Sequence, residues 1–469
     1  MTITERVEHD MIGHITVPSA AYYGAHTARA VENFPISGVT LATQPFLIEA
    51  MATVKQAAAV ANRDVGLLPA TLAEAIIAAC KDIRGGALHE QFVVDLIQGG
   101  AGTSSNMNAN EVIANRALEH LGEPLGRYTV LHPLEHVNLG QSTNDVYPTA
   151  IKLALDRHIQ ALLTALTGLR SAFAEKGAEF ANILKIGRTQ LQDAVPMTLG
   201  REFTAFAVTL AEDERRLSEA RLLLYELNLG GTAIGTALNA HPEYRDLAVA
   251  QLRDLTGIDR LVSATDLIEA TQDVGVFVQL SGVLKRIAVK LSKTCNDLRL
   301  LSSGPRAGFN EINLPARQAG SSIMPGKVNP VIPEVVNQIA FEVIGNDVTI
   351  TLAAEGGQLQ LNAFEPIIAR SLFASIEHLT AGARVLATHC VSGITANTDQ
   401  LARNVTDSIG VITALSPLIG YEQATSIAGR ALADGRSSIE LILEKGLLTR
   451  EQIDQAITVG ALTGTATSA

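Results

Sequence analysis

The chain has 469 residues, 47% of them hydrophobic but only 4% aromatic and none Trp, which predicts a large Ala/Leu/Ile/Val core carried on helices. A formal charge of −12 with no Lys/Arg run argues against a nucleic-acid binder, and no uncharged run reaches membrane-spanning length. Cys80, Cys295 and Cys390 show no paired spacing, and the polar N-terminus lacks an apolar signal core, so free buried thiols in a soluble, cytoplasmic protein are expected. Length alone sets a soft expectation of about three domains of ~150 residues.

Residues 1 to about 40 carry Pro18, Gly24, Pro35 and Gly38 among short apolar stretches, a pattern of loops and small strands. Helical periodicity runs from about residue 45 to 125, interrupted at Leu68-Pro69 and at the small, hydroxyl-rich Gly99-Gly100-Ala101-Gly102-Thr103-Ser104-Ser105. After this break a helix is predicted through Asn110 to His120, stopping at Gly122. An irregular stretch then ends in Gln141-Ser142-Thr143-Asn144-Asp145. Beyond it Ile151, Leu155, Ile159, Leu162, Leu166, Leu169 and Phe173 recur at steps of four or three, the signature of one helix face. Phe203, Leu210, Leu217 and Leu224 repeat at steps of seven, and Leu280, Leu284, Ile287 and Leu291 return to four and three. Stripes this long need equally long partners, as in a bundle. Around residues 270–301 the apolar residues exceed what one buried face needs, which predicts burial against other chains as well. A further helix is expected from beyond Asn362 to Cys390. Residues 393–397 then form a hinge into a smaller unit of short helices broken by Pro417, Gly420, Gly435 and Gly446.

Four polar loops interrupt these helices. They surround Thr103; Ser142, Thr143 and Asn144; Thr189 and Gln190; and Gly320-Ser321-Ser322-Ile323-Met324-Pro325-Gly326-Lys327-Val328-Asn329-Pro330. Helix N-caps alone would account for Ser142, Thr143 or Asn144, a turn for Thr103, loop hydrogen bonds for Thr189 and Gln190, and a solvated surface for Lys327. Taken together, neutral donors and one cation suit a small anion. In the fourth loop, two glycines are expected to let the backbone bend and close. Met324-Pro325-Gly326-Lys327 lacks the spacing of a phosphate-binding loop, and His132 and His136, split by Pro133, lack a third zinc ligand.

The fourth loop resembles the signature loop of the aspartase/fumarase superfamily. So do Ala21-Tyr22-Tyr23-Gly24 with Arg29, Glu32, Asn33 and Phe34, the stretches 99–111, 141–145, 187–196 and 357–366, and Ser303-Gly304-Pro305-Arg306, all in family order. The resemblance covers essentially the whole chain. It implies a mainly α, three-domain fold (1–141, 142–396, 397–469) whose central five-helix bundle joins three others in a homotetrameric twenty-helix core. Each active site would collect loops from three subunits. It implies elimination across a bond of a small dicarboxylate, with neither cofactor nor metal. Ser321 matches the base, and Gly320 and Gly326 fit a mobile lid. Thr103, Ser142, Thr143 and Ser322 match the residues that hold the aci-carboxylate, and Lys327 and Asn329 those that hold the other carboxylate. Asn144, Thr189 and Gln190 would surround the leaving group.

Thr143, Gln190 and His136 resemble the ammonia-releasing branch, whereas fumarases look like Ser-Ser-Asn-Asp around position 143 and carry His at 190. Departure of hydroxide as water needs a proton donor, but an ammonium substituent leaves as neutral ammonia and needs only positioning, which Gln190 can supply. Reversible deamination of L-aspartate to fumarate is therefore the expected reaction. Fumarate hydration, or lysis of an N-substituted aspartate, is the alternative. A non-catalytic protein on the same fold is a second alternative, against which the joint retention of Ser321, Lys327 and Asn329 argues.

Overall fold

The computed structural model describes residues 5–463; the last six positions of the expected C-terminal domain, 464–469, lie outside the described residues. The chain opens with an antiparallel hairpin of β1 (Glu5–Asp10) and β2 (Gly13–Pro18), followed by α1 (Ala25–Asn33), which the Gly and Pro content of this stretch had hidden. Next come α2 (Pro45–Asp64), started by a proline whose fixed φ suits a first helical position, then α3 (Ala70–Arg84) and α4 (Thr103–His120). These match the predicted breaks at Pro69 and before Thr103. Residues Pro133–Val137 form a single π-helical turn.

Five long helices follow: α5 (Thr143–Glu179), α6 (Leu199–Leu222), and later α9 (Gly275–Leu301), α10 (Val331–Glu355) and α11 (Glu365–His389). The predicted stripe from Ile151 to Phe173 is buried throughout, as is that from Leu280 to Leu291. Between them lie β3 (Leu184–Thr189) paired antiparallel with β4 (Gln192–Thr198), and β5 (Glu226–Leu227) paired parallel with β6 (Val262–Ser263). There too are α7 (Tyr244–Thr256), closed by the left-handed Gly257, and α8 (Leu267–Gln272). Strand β7 (Ile312–Asn313) precedes the 320–330 loop and pairs with β8 (Thr395–Ala396), just before the short α12 (Thr398–Asp407). The chain ends in α13 (Gly410–Ile419), α14 (Tyr421–Asp434), α15 (Ser438–Glu444), α16 (Arg450–Ala456) and α17 (Val459–Thr463). Pro417 lies inside α13 rather than ahead of its end; the helix runs two residues past it and stops at Gly420.

Two compact units emerge, and their boundaries fall within α5, α6, α9, α10 and α11. The first comprises the chain up to Leu163, Arg215–Arg286 and Glu342–His378. Its core is built on alanines of α2 and closed by aromatic contacts of His158 with Phe46 and Phe373. The second comprises Thr164–Glu214, Ile287–Phe341 and the chain from Leu379. Phe173, Phe180, Phe203 and Phe206 pack together in it. Ile186 of β3 joins Val411, Leu415, Ile427, Ile439 and Ile442 in a separate apolar cluster under the C-terminal helices. Outward apolar side chains remain on the long helices, with Phe341 63% and Leu352 65% exposed, more than a monomer's surface needs.

Candidate active site

In the first unit two helix starts lie side by side. Gly102 precedes α4 with φ 89°, and a Cβ on it would stand 2.2 Å from Tyr147 Cδ1 in the early turns of α5. Glycine therefore allows the two starts to approach. Asn106 Nδ2 bridges them, donating to Thr143 Oγ1 at 3.0 Å and to Asn138 Oδ1 at 3.3 Å. Because Thr143 Oγ1 accepts this bond, its hydroxyl proton is available to a ligand. Ser142 Oγ likewise accepts the Asn144 N–H, at 3.2 Å. Thr103 is half-buried at the first position of α4, and the N-terminal dipole of the 37-residue α5 adds positive potential at Thr143. Thr103, Ser142 and Thr143 thus present hydroxyls at two neighbouring helix starts. Asn144 faces elsewhere in part: its Nδ2 donates to Ala233 O at 2.7 Å and its carbonyl accepts Asn228 Nδ2 at 2.9 Å.

A buried polar layer lies behind these helix starts. Asp145 accepts the N–H groups of Ser142, Gly230 and Thr232, each at 3.0 Å, and burial raises its pKa to about 6 against the pull of those bonds. Fully buried Lys55 donates to Asn138 Oδ1 at 2.8 Å and Gln141 Oε1 at 2.9 Å; desolvation lowers its pKa to about 7, opposed by the charge of Asp145. Neither Lys55 nor Asn106 follows from local motifs. The signal in the sequence is a lone lysine in the run Ala52-Thr53-Val54-Lys55-Gln56-Ala57, and a cluster of Asn106, Asn108, Asn110 and Asn115 on one helix.

In the second unit, β3 and β4 are joined by a two-residue turn in which Gln190 and Leu191 both adopt left-handed conformations, φ 55° and 62°. Such turns match the strand twist but favour Asn-Gly, so two longer side chains here store backbone strain of about 1 kcal/mol or more each. Thr189 and Gln190 are exposed at this tip.

The 320–330 loop closes on itself in the same unit. Gly320 N–H donates to Lys327 O at 2.7 Å, and Asn329 Nδ2 donates to Gly320 O at 2.7 Å. A Cβ on Gly320 would lie 2.7 Å from Lys327 O and 2.8 Å from Asn329 N. Gly320 therefore serves close approach of the two ends of the loop rather than free bending, while Gly326, with φ 80°, supplies the left-handed turn. Inside the loop Ser321 Oγ accepts the N–H groups of Ile323 at 3.2 Å and Met324 at 3.0 Å. Ser322 and Lys327 face solvent, and Lys327 has no ion-pair partner among the described residues. Asn329 is half-buried at the base, with one amide N–H committed to the loop.

His132 and His136 are both turned inward. His132 Nδ1 accepts the N–H groups of Leu134 and Glu135, and His136 Nδ1 accepts that of His132 at 2.8 Å.

Residues 13–345 match the family described as Lyase, and residues 411–464 the one described as Fumarase C C-terminus. The aspartate ammonia-lyase of Pseudomonas fluorescens is 60% identical over 453 residues, which cover 96% of this chain and 95% of that one. The chain belongs to the aspartase/fumarase superfamily. Within it, the aspartate ammonia-lyase of Escherichia coli (strain K12) is 53% identical over 456 residues, 97% of this chain and 95% of its own. Among solved structures, the fumarate lyase:delta crystallin of Brucella melitensis bound to cobalt shares 55% identity with a TM-score of 0.96, covering 99% of this chain and 100% of that one. Recombinant class II fumarase of Schistosoma mansoni shares 34% identity with a TM-score of 0.93 over the same shares. The mainly helical superfamily fold expected from the motifs is the fold of this chain.

Proposed function

We infer that the protein is an aspartate ammonia-lyase, which eliminates ammonia reversibly from L-aspartate to leave fumarate. The observation that carries this reading is the pair of backbone N–H groups, from Ile323 and Met324, aimed at Ser321 Oγ. A serine hydroxyl is too weak a base at its ordinary pKa. Preorganised amides stabilise its alkoxide without reorganising during the reaction. Ser321 then takes the proton from the carbon beside one carboxylate of the substrate, and the electron pair moves into that carboxylate to form an aci-carboxylate.

Thr103, Ser142, Thr143 and Ser322 donate hydrogen bonds to this group, and their effect is greatest when its charge doubles. Lys327 and the remaining amide hydrogen of Asn329 hold the other carboxylate; the unpaired state of Lys327 leaves its charge for that use. Collapse of the aci-carboxylate forms the double bond and releases the amine as neutral ammonia. Gln190, Thr189 and Asn144 surround it, and no acid is needed there because the leaving nitrogen already carries its protons. Relatives of that name, 53% and 60% identical, support the choice of amine over water.

Exposed Phe341, Val348 and Leu352 on α10, with Val208 on α6 and Val289 on α9, support a homotetramer built through the long helices. Its active sites would be shared by three subunits. We keep the three-part division at 141 and 396, in which the separate apolar cluster under α13–α16 lies mainly in the last part and is joined by Ile186 of the central one. No described helix is long and apolar enough to cross a membrane, and all three cysteines are free and buried, which fits a cytoplasmic enzyme.

The test follows fumarate absorbance with L-aspartate, L-malate and an N-substituted aspartate, each supplied alone. Turnover of aspartate and not of the others is expected. Turnover of malate alone would overturn the assignment.

A further inference from the structure

Strand β3 carries two cations, Lys185 and Arg188, that a regular strand would send to opposite faces, since residues three apart alternate. They converge instead. Lys185 Nζ lies 2.9 Å from Glu311 Oε2, and an Arg188 guanidinium nitrogen lies 2.6 Å from Oε1. The register between β3 and β4 shifts between Ile186 and Arg188, and a bulge of this kind twists a strand and re-aims its side chains. Gly187 stands at the shift, where a Cβ would meet Met197 Sδ and Val195 O, each at 3.2 Å.

Glu311 has a side-chain exposure of 0%, and no further donor among the described residues hydrogen-bonds to its oxygens. Its main chain is fixed as well: the N–H donates to Leu301 O at 2.9 Å and the carbonyl accepts the Asn397 N–H at 2.9 Å. The cations are constrained from behind, Lys185 by Glu202 at 2.6 Å and Arg188 by stacking over Phe309 at 4.3 Å. A buried carboxylate between a buried and a half-buried cation brings little net stability over an apolar trio, but it imposes one geometry. One residue beyond Arg188 the strand ends in Thr189 and the strained Gln190.

We propose that Glu311 is a positioning residue for the amine side of the reaction: through Lys185 and Arg188 it fixes the bulged strand so that Thr189 and Gln190 meet the leaving nitrogen. The proposal rests on the placement of those two residues around the leaving group given above. Glu311 touches no substrate itself. It also ties the hairpin to the strand β7 from which the chain runs into the Ser321 loop, so the amine-facing and proton-abstracting segments share one fixed point.

The experiment measures addition of ammonium to fumarate by the full-length enzyme, with ammonium and fumarate varied in turn. Glu311→Gln keeps the volume and removes the charge; the Michaelis constant for ammonium is expected to rise roughly tenfold or more while that for fumarate moves less than about twofold. Glu311→Asp, which keeps the charge, should recover part of the loss. A merely structural residue would lower the active fraction and leave both constants unchanged, an outcome that overturns the proposal, as does a parallel rise in both. Gln190→Ala measured alongside separates the two readings. If it raises the ammonium constant and Glu311→Gln does not, the positioning role fails and the leaving-group assignment stands; if neither variant raises it, both fail. Should Glu311→Gln not fold, an ammonium constant in Glu311→Asp equal to that of the wild type overturns the proposal, and a selective rise supports it.

Discussion

The Met324 N–H donates to Ser321 Oγ at 3.0 Å, three residues along the same loop. With the Ile323 N–H it makes a small anion nest around the hydroxyl that has to lose its proton. Met324→Pro removes this donor. Turnover should fall by about 10²-fold, the usual effect of losing one donor to a developing oxyanion. The acidic limb of the kcat/KM profile, which reports the base, should move to higher pH, since an alkoxide with fewer donors holds its proton more tightly. An unshifted limb would show that the nest does not tune Ser321.

Gly320→Ala tests the loop base. The added Cβ would collide with the main-chain atoms Lys327 O and Asn329 N, which belong to the residues that close the loop. Activity should drop by roughly 10²-fold or more while the melting temperature changes by no more than a few degrees, because the loop is exposed and buries little core. Near-normal turnover in a well-folded Gly320→Ala enzyme would contradict the closed geometry.

Gln190→Gly separates strain from chemistry. Glycine adopts φ 55° freely, so the substitution relieves about 1 kcal/mol of backbone strain and the hairpin should be no less stable. The enzyme should nevertheless lose affinity for ammonium in the reverse direction. A variant with lower thermal stability and unchanged ammonium dependence would show that Gln190 serves the turn alone.

Glu365, at the start of α11, is fully buried and makes no ion pair among the described residues; burial pushes its pKa from 4.5 up to about 8, against the attraction of Lys152. The folded pKa lies above the unfolded one, so this group's contribution to stability is complete below pH 4.5 and is lost as pH rises through about 8. Glu365→Gln mimics the neutral acid. Its melting temperature relative to the wild type should therefore increase with pH across that window. Parallel melting curves at every pH would refute the ionisation of Glu365 as the cause.

The long helices were legible because Ile151 through Phe173 and Leu280 through Leu291 repeat over many turns, and every one of those positions is buried. Helix α1 was not, since nine residues between Gly24 and Phe34 are too few for a periodic signal. The first layer of the candidate site was legible for a different reason: hydroxyls, amides and glycines stand out between apolar helices. Its supports were not. Lys55 meets Asn138 across 83 residues, and Glu311 meets Lys185 and Arg188 more than 100 residues back along the chain, so no local spacing points to either. At Gly320 the sequence suggests a backbone free to bend and close, glycine's commoner use. Its actual role depends on an atom seven residues away, Lys327 O.

The central claim is that Ser321 removes the proton from aspartate. Its most direct test is the turnover of L-aspartate by Ser321→Ala, followed as fumarate absorbance, in protein shown by sedimentation and melting to be assembled like the wild type. A loss of roughly 10³-fold or more is predicted, since the loop's other proton-accepting groups, Ser322 and Lys327, are engaged with the two carboxylates. Turnover within about tenfold of the wild type would contradict the account and assign the proton to another residue.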